Sequence, residues 1–295
     1  SSMIKLFWNT HNQVKPNAND KKIRNQQEED MGWGLYHKAH SSKWIYEILS
    51  KIKYNIIQTE LNIEKNDKLI IIDSSVAQKK ELYTKLNMIC SQVFLFHLGD
   101  EYGQYDLSSI YENCDYVWRP FCSNKYFKNN KVECIPIGSK SGVINKHKDK
   151  RKYKWAFTGT PHKSSRHDLL FQFSEIKPFF CHKTEKFNKK IISVDEMSEV
   201  LSSTEFMPCP NGFFHPETYR LYEALECGCI PIVENAYKYY DRLFPNNPFI
   251  KVDKWADAKS ILSDWNSDQI NFKRKECESW WKEYKNKLKE TIKNK

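Results

Sequence analysis

Long hydrophobic runs are missing from this chain of 295 residues. The longest uninterrupted apolar stretches are residues 69–72 and 93–96, whereas a helix needs roughly 20 apolar residues to cross a bilayer. The segment before Asn9 is too short for the apolar region of a signal peptide and lacks a small-residue cleavage site. The sequence therefore predicts neither a membrane segment nor a secretory leader.

The composition is not that of a disordered protein, because 40% of the residues are hydrophobic and 14% are aromatic. This length and composition suffice for one large or two ordinary domains with cores of their own. The 47 Lys and Arg residues exceed the 37 Asp and Glu residues, which gives a net charge of +10, but both signs are scattered along the chain. The excess is compatible with solubility, an anionic ligand or nucleic acid.

Metal-binding motifs are also lacking. No Cys-x2-Cys pair occurs, and Cys227-Gly-Cys229 has no second pair with which to form a zinc site. No Asp-x-Asp motif lies between predicted strands. The nine cysteines are an odd number in a chain large enough to fold without disulfides, which favours reduced thiols and a cytoplasmic protein. A lumenal catalytic domain cut from a longer protein is the alternative.

Alternating strand and helix patterns are abundant in this sequence. Short apolar runs bounded by turn residues alternate with segments of helical periodicity, an order typical of α/β units with buried parallel strands. Helical patterns cover residues 42–52 and 76–87. The predicted strands are residues 4–8, 69–72, 93–98, 116–119, 155–158, 205–208 and 230–233.

A basic segment with few apolar residues marks the expected domain boundary. Residues 140–154 hold seven Lys or Arg residues and one Asp, so we expect a solvated linker here, which could also attract an acidic acceptor. The boundary separates an N-terminal domain, residues 1–145, from a C-terminal domain, residues 146–270. Residues 271–295 carry apolar side chains at helical spacing and predict an amphipathic helix that docks back onto the protein.

The most informative segment is residues 208–233, Pro-Cys-Pro-Asn-Gly-Phe-Phe-His-Pro-Glu-Thr-Tyr-Arg-Leu-Tyr-Glu-Ala-Leu-Glu-Cys-Gly-Cys-Ile-Pro-Ile-Val. It predicts a strand, a Gly/Pro loop, a helix that begins near Glu217 or Thr218 and stops at Gly228, and a second strand. Such a loop lies at the carboxyl edge of a parallel sheet, where helix N-termini bind anions. Arg220 in the first turn adds a planar guanidinium that suits a diphosphate. Glu223 on the same face is placed to accept hydrogen bonds from a ribose.

The segment from Thr218 to Val233 resembles the donor-site signature of the exostosin-like glycosyltransferases, a Ser/Thr-x-Arg-x-x-Glu-Ala helix followed by Gly-Cys-Ile-Pro and a strand. The resemblance implies a GT-B fold, in which two Rossmann-like domains face a cleft and the C-terminal one holds most of the nucleotide sugar. It also implies inversion at the anomeric carbon and no required metal. Retaining GT-B enzymes have two glutamates eight residues apart around this helix, whereas His215 occupies the first position here, which favours the inverting relatives.

A second stretch resembles the glycine loop that opens the donor domain in this family. Phe157-Thr-Gly-Thr160 continues a predicted strand, and an arginine follows soon after it. Glycine after a strand lets backbone N–H groups approach a phosphate. Phe213 and His215, in the loop before the donor helix, could cover the nucleotide base or could simply pack within the loop. The resemblance implies the following donor-binding residues: Thr158, Gly159, Thr160, Arg166, Gly212, Phe213, His215, Thr218, Tyr219, Arg220 and Glu223.

Less specific similarities lie in the N-terminal half. Phe96-His-Leu-Gly-Asp-Glu101, residues 111–119 and Ile135-Pro-Ile-Gly138 resemble the acceptor half of a subgroup. That subgroup includes the ribitol xylosyltransferase of dystroglycan and exostosin-like xylosyltransferases of large algal viruses. Gly32-Trp-Gly-Leu-Tyr36 fits it loosely. The resemblance covers residues 30–240, is most specific at 204–233, and implies acceptor contacts for Trp33, Tyr36 and His97. For His97, a satisfied side chain near a strand end is the other interpretation.

An inverting transfer needs a carboxylate that takes the proton of the acceptor hydroxyl, and the N-terminal domain is expected to supply it. Asp73 follows one predicted strand and Asp100-Glu101 follow the next, so all three carboxylates are expected at the edge of the sheet that faces the cleft. Asp73 could instead cap the following helix. The candidates for the catalytic base are therefore Asp100, Glu101 and Asp73.

The sequence thus predicts a two-domain α/β glycosyltransferase that moves a sugar from a UDP-sugar to a glycan hydroxyl with inversion, without a metal or other cofactor. Xylose is the expected sugar by resemblance alone. Another UDP-hexose in the same fold is the first alternative, and a basic nucleic-acid-binding protein is the alternative of another class. The expected partners are a nucleotide-sugar donor and a carbohydrate acceptor.

Overall fold

Eleven described β-strands form two parallel sheets. The structure is a computed structural model that describes residues 3–9, 42–140, 142–184 and 192–295; the predicted acceptor residues Trp33 and Tyr36 lie outside these ranges. The strands are β1 (Ile4–Asn9), β2 (Asn55–Ile57), β3 (Lys68–Asp73), β4 (Gln92–His97), β5 (Tyr116–Arg119), β6 (Val132–Cys134), β7 (Tyr153–Gly159), β8 (Phe179–Lys183), β9 (Thr204–Cys209), β10 (Ile230–Glu234) and β11 (Ile250–Val252). One sheet has the order β2-β1-β3-β4-β5-β6 and the other β11-β10-β9-β7-β8.

Helices connect most of these strands, as parallel pairing requires. The α-helices are α1 (Ser42–Ile48), α2 (Lys80–Ile89), α3 (Ser108–Tyr111), α4 (Asn124–Phe127), α5 (Arg166–Phe173), α6 (Val194–Ser202), α7 (Tyr219–Glu226), α8 (Tyr239–Leu243), α9 (Lys259–Asp264) and α10 (Ser267–Lys293). Short 3-10 helices span Glu60–Asn62, Ala236–Lys238 and Trp255–Ala258. None of the described helices is long and apolar enough to cross a membrane.

The central strands are buried on both faces, which is why they appear in the sequence as continuous apolar runs rather than as alternating patterns. In β3, Leu69 and Ile71 belong to a core cluster, and Ile70 and Ile72, which point to the other face, are buried too. A second core cluster surrounds the other sheet and includes Trp155, Phe157, Phe206 and Ile230.

The chain divides into two compact units. The first contains residues 3–9 and Ser50–Ile137, and therefore the six-stranded sheet; the second contains residues 42–49 and Gly138–Lys295, and therefore the five-stranded sheet. The predicted boundary between residues 145 and 146 falls inside the second unit. The prediction of an α/β chain with two Rossmann-like parallel sheets and a C-terminal helix, the GT-B class, is confirmed.

The C-terminal helix α10 packs against α1 and α7 within the second unit. The rings of Trp281 and Trp44 stack with their centroids 5.7 Å apart. Trp281 Nε1 donates to Glu226 Oε1 at 3.0 Å, and Lys285 Nζ pairs with both Glu226 and Glu47. The apolar stripe of the amphipathic pattern therefore faces α1 and α7, as a docked terminal helix requires.

The expectation that residues 140–154 form a solvated linker is wrong for Arg151. Its Nη1 donates to the carbonyl oxygens of Leu201 and Thr204 at 3.0 and 2.9 Å, and its Nη2 donates to that of Cys227 at 2.9 Å. Composition alone suggested that this segment is exposed. The Arg151 guanidinium instead donates to three backbone carbonyl groups and so links separate parts of the second unit.

The expectation of reduced thiols is wrong for one pair of cysteines. Cys122 and Cys134 form a disulfide with their Cα atoms 5.9 Å apart, while the seven other cysteines are free thiols. The pair is close because β5 and β6 align Arg119 with Cys134, and the short turn after β5 returns Cys122 to that point. The size of the chain removes the need for a disulfide but does not prevent two thiols from meeting.

Candidate active site

Two arginines meet at the carboxyl end of β7, in the second unit. Arg166 is the first residue of α5 and Arg220 the second residue of α7, whose N-cap is Thr218. Arg166 Nη1 donates to the carbonyl oxygen of Thr160 at 2.8 Å, and Arg220 Nη2 donates to that of Thr158 at 2.9 Å. The structure thereby brings together the predicted glycine loop and the predicted donor helix, which lie about 60 residues apart in the chain.

Both guanidinium groups are buried and only partly bonded. Arg166 is 7% and Arg220 8% exposed, and Nε of both, together with Nη1 of Arg220, finds no hydrogen-bond partner within the described parts of the chain. Burial, followed by the charge of Arg220, lowers the pKa of Arg166 to about 9. Burial also lowers the pKa of Arg220. Unpaired buried donors and adjacent like charges are costly, and an anion bound here would relieve both penalties.

Gly159 lies between the two carbonyl groups that hold these arginines. Its φ of +140° is a conformation that L side chains rarely adopt. A Cβ added at this position would lie 2.7 Å from Arg220 Nη2 and 4.0 Å from Arg166 Nη1. Glycine is thus needed here both for the backbone conformation and for the close approach of the Arg220 guanidinium.

The loop before α7 is closed by bonds among its own residues. Gly212 N donates to the carbonyl oxygen of Pro216 at 3.4 Å, and Glu217 N donates to His215 Nδ1 at 3.1 Å. The His215 ring packs edge-on against Tyr239, with their centroids 4.6 Å apart. Phe213 is 64% exposed. The loop therefore presents an exposed aromatic ring beside a buried histidine, next to the N-terminus of the arginine helix.

Glu217 is a buried carboxylate that was not predicted as a site residue. It accepts hydrogen bonds from the hydroxyl groups of Tyr222 and Tyr239, and Tyr222 itself is fully buried. These bonds tie the start of α7 to α8. The arrangement makes Glu217 a structural residue that supports the loop.

Glu223, one turn after Arg220, is 8% exposed. Its charge acts on Lys140, which is also buried. Burial lowers the pKa of Lys140 to about 8, and the attraction of Glu223 opposes that shift. Lys140 was not predicted as a site residue, because it lies in the basic segment that composition assigned to a linker. Of the other predicted donor residues on this helix, Tyr219 is half-buried.

The carboxyl edge of the six-stranded sheet, in the first unit, carries a row of polar residues. Strand register aligns Asn9 with Asp73 and Asp73 with His97, and Arg119 ends the next strand. Asp73 is 1% exposed. Its carboxylate accepts from Asn9 Nδ2 at 3.1 Å and from Ser75 N at 3.0 Å, and also from Lys79 Nζ and the Tyr83 hydroxyl, both at 2.8 Å. Asp73 is therefore a saturated buried acceptor, which favours its structural interpretation.

The other candidate carboxylates follow β4. Asp100 is held by Arg119 Nη1, which lies 3.3 Å from its Oδ2 atom, whereas Glu101 is exposed to solvent. His97 is 2% exposed, and its Nδ1 lies 2.6 Å from the Tyr111 hydroxyl. This placement favours a buried histidine that hydrogen-bonds within the protein over a histidine that touches the acceptor glycan directly. The three carboxylates do lie at the carboxyl ends of neighbouring strands, as expected.

Comparison with protein families identifies the second half of the chain. The family model of the RXYLT1 C-terminal domain matches residues 139–294, which is more than half of the 295 residues. The match includes β7, α5 and α7, and therefore both buried arginines, and it confirms the expected subgroup. A comparison with curated proteins gives no significant match. The chain belongs to the RXYLT1 C-terminal domain family, that of the exostosin-like ribitol xylosyltransferase 1, and is a glycosyltransferase.

Proposed function

We propose that the protein is an inverting glycosyltransferase that moves xylose from UDP-xylose to a hydroxyl group of a glycan. The observation that carries the donor half of this proposal is the pair of buried guanidinium groups, Arg166 and Arg220, whose Nε donors are unmatched within the described residues. A diphosphate offers acceptor oxygens and negative charge to such groups. Xylose rests on the family alone.

In this proposal the two arginines act on the leaving group. As the acceptor oxygen attacks the anomeric carbon, the bond from that carbon to the diphosphate oxygen breaks and its electron pair stays on UDP. Preformed cationic donors in a buried site stabilise this developing charge more than water does. The N-terminus of α7 adds its own partial positive charge, so the arginines and the helix carry the charge that a metal ion carries in other transferases.

Glu223 and the loop before α7 bind the rest of the nucleotide in the same proposal. The Glu223 carboxylate accepts hydrogen bonds from the ribose hydroxyls, and the exposed Phe213 ring covers the base. His215 Nδ1 accepts a hydrogen bond from Glu217 N. The ring is therefore neutral, with its proton on Nε2, and Nε2–H is a hydrogen-bond donor. The acceptor hydroxyl gives its proton to a carboxylate, for which Asp100, Glu101 and Asp73 are the candidates.

The test is a screen of UDP-sugars for release of UDP, with and without a xylose-accepting glycan. The proposal predicts that UDP-xylose supports the fastest turnover and that NMR of the first product shows the inverted anomer. If a UDP-hexose supports faster turnover, that hexose takes the place of xylose as the proposed donor sugar, and the rest of the proposal is unchanged. If the folded protein binds no UDP and releases none from any donor, the proposed function is wrong.

A further inference from the structure

His162 and His167 form a pair of facing imidazole rings in the second unit. His162 lies in the loop after β7, and His167 is the second residue of α5. His162 Nδ1 lies 3.4 Å from His167 Nε2, and the ring centroids are 5.5 Å apart. Both side chains are exposed. Within the described parts of the chain, neither ring has another hydrogen-bond partner, so the two nitrogens face each other without a competing bond.

A short turn of the backbone brings the two histidines together. Ser164 adopts a φ of +52°, and Arg166 N donates to the carbonyl oxygen of Lys163 at 3.2 Å. The chain therefore reverses direction between His162 and the first turn of α5. The resulting pattern, His162-x4-His167, falls within the spacing that histidine pairs have in zinc sites.

The separation of the two nitrogens matches a shared metal ion. A hydrogen bond from an N–H group to oxygen is typically about 2.7–3.2 Å long, which is shorter than the distance between these rings. Zn–N bonds of about 2.0–2.1 Å at a tetrahedral angle place two ligand nitrogens roughly 3.3–3.4 Å apart. Nδ1 and Nε2 both serve as metal ligands in proteins. Because both rings are exposed, a small rotation of each turns the two lone pairs toward one point.

We propose that His162 and His167 together bind one divalent transition-metal ion with affinity for imidazole, such as Zn²⁺. No group of three or more His, Cys, Asp or Glu side chains suited to a metal occurs in the described ranges, so water molecules complete the coordination of this two-histidine site. The two rings line a pocket of about 500 Å³, which has room for the ion and its waters. The site is open, so the ion exchanges with solvent.

The metal ion links the loop after β7 to α5. Thr160, two residues before His162, accepts a hydrogen bond from Arg166, the neighbour of His167. The ion therefore joins the same two segments as this bond, and it binds the folded second unit better than the unfolded chain. Zn²⁺ should accordingly raise the melting temperature of the protein. The inference does not rest on the proposed function, because the ion lies on the histidines and not on the diphosphate arginines.

Lys183 and Thr184 line the same pocket, and these two residue types also occur in anion sites. Lys183 is exposed, so solvent screens its charge. The Thr184 hydroxyl lies 3.4 Å from that of Thr160 and is buried with it. Neutral imidazoles offer lone pairs, which a metal ion binds and an anion does not. Inorganic phosphate is therefore the second probe, and it separates an anion site from a metal site.

The experiment is isothermal titration calorimetry with ZnCl₂ on protein without a histidine tag, after treatment with EDTA and desalting. His162→Gln and His167→Gln are each expected to weaken Zn²⁺ binding at least about 10-fold, because losing even a residue that only supports a metal ligand typically costs about 10- to 100-fold. The double variant should lose far less than the product of the two single losses, since one ion needs both ligands. His147→Gln is the matched control, because His147 is an exposed histidine of the same unit; it should keep the wild-type affinity.

Thermal unfolding gives a second readout. Zn²⁺ should raise the melting temperature of the wild-type protein and of His147→Gln, but not that of the double variant. The inference is overturned if the wild-type protein binds no Zn²⁺, if both single variants keep its affinity, or if the single losses simply multiply. It is also overturned if the pocket binds phosphate in place of Zn²⁺ and the histidine variants abolish that binding. These measurements use no sugar nucleotide, so failure here is distinct from failure of the proposed function.

Discussion

Arg220 Nη2 donates a 2.9 Å hydrogen bond to the carbonyl oxygen of Thr158, across 62 residues of the chain. This bond fixes the guanidinium group at the end of β7 while leaving Nε and Nη1 without partners in the described part of the chain. Orphaned buried donors are rare in folded proteins, and their presence here beside a second arginine and a positive-φ glycine is the basis on which we propose an anion site.

Glu223→Gln is expected to weaken UDP binding about 10-fold, because a charge-assisted hydrogen bond to the ribose contributes roughly 1.5–3 kcal/mol before any compensation by the amide. Isothermal titration calorimetry with UDP and with 2′-deoxy-UDP measures this change in affinity. If the carboxylate binds the 2′-hydroxyl, the wild-type protein prefers UDP and the variant loses that preference.

Glu226→Gln is the matched control for this prediction, since Glu226 lies on the same helix but bonds to Trp281 and Lys285. Its UDP affinity should equal that of the wild-type protein. An unchanged UDP affinity in Glu223→Gln would make Glu223 a structural partner of Lys140.

Sugar transfer should survive exhaustive treatment with EDTA, because the two arginines and the N-terminus of α7 supply the positive charge that the diphosphate needs. The measurement is the initial rate before and after chelation, and again after Mn²⁺ or Mg²⁺ is added back. Complete loss that either ion restores would show that the leaving group depends on a metal.

His97 should make the stability depend on pH. Burial first, and then the charges of Arg119 and Lys79, lower the pKa of His97 to about 3, whereas unfolded histidine titrates near 6.5. Between these values the unfolded chain binds a proton that the native protein does not. The contribution of His97 to the free energy of unfolding is therefore fully present above about pH 6.5. It decreases as the pH is lowered below that value, by up to about 1.4 kcal/mol per pH unit.

His97→Asn removes the titrating ring and keeps an acceptor for the Tyr111 hydroxyl. Urea unfolding at pH 7, 6 and 5 should therefore show that the wild-type protein loses more stability than the variant over this range. His147→Asn is the control, because His147 is exposed, and it should retain the wild-type slope. Equal slopes in His97→Asn and the wild-type protein would contradict the buried, neutral state of His97.

The sequence predicted the central strands of both sheets but none of their edges. Predicted and observed bounds agree at residues 116–119, and differ by one or two residues at the other six predicted strands. The four strands that were missed, β2, β6, β8 and β11, are the outer strands of the two sheets. Three of them have only three residues. Edge strands are covered on fewer sides, so their sequences lack the continuous apolar runs that identified the central ones.

The helix of the candidate donor site could be predicted from the sequence because its signals are local. A helix start near Thr218 and a stop at Gly228, whose φ is +74°, can be read from neighbouring residues. The burial and the contacts of Lys140 and Arg119 were not predicted, because their partners are brought close only by the fold. The carboxylate of Asp73 illustrates the same limit, since a strand-end position does not show that four groups already bond to it.

The most direct test of the account is the turnover of UDP-xylose by Arg220→Ala beside Arg242→Ala. Arg242 is an exposed arginine of the same unit, so its removal controls for net charge. We expect kcat/KM to fall on the order of 100-fold in folded Arg220→Ala, since a preformed donor to developing charge contributes about that much, and we expect Arg242→Ala to keep the wild-type value. Near-normal turnover by Arg220→Ala would contradict the assignment of the buried arginines to the diphosphate.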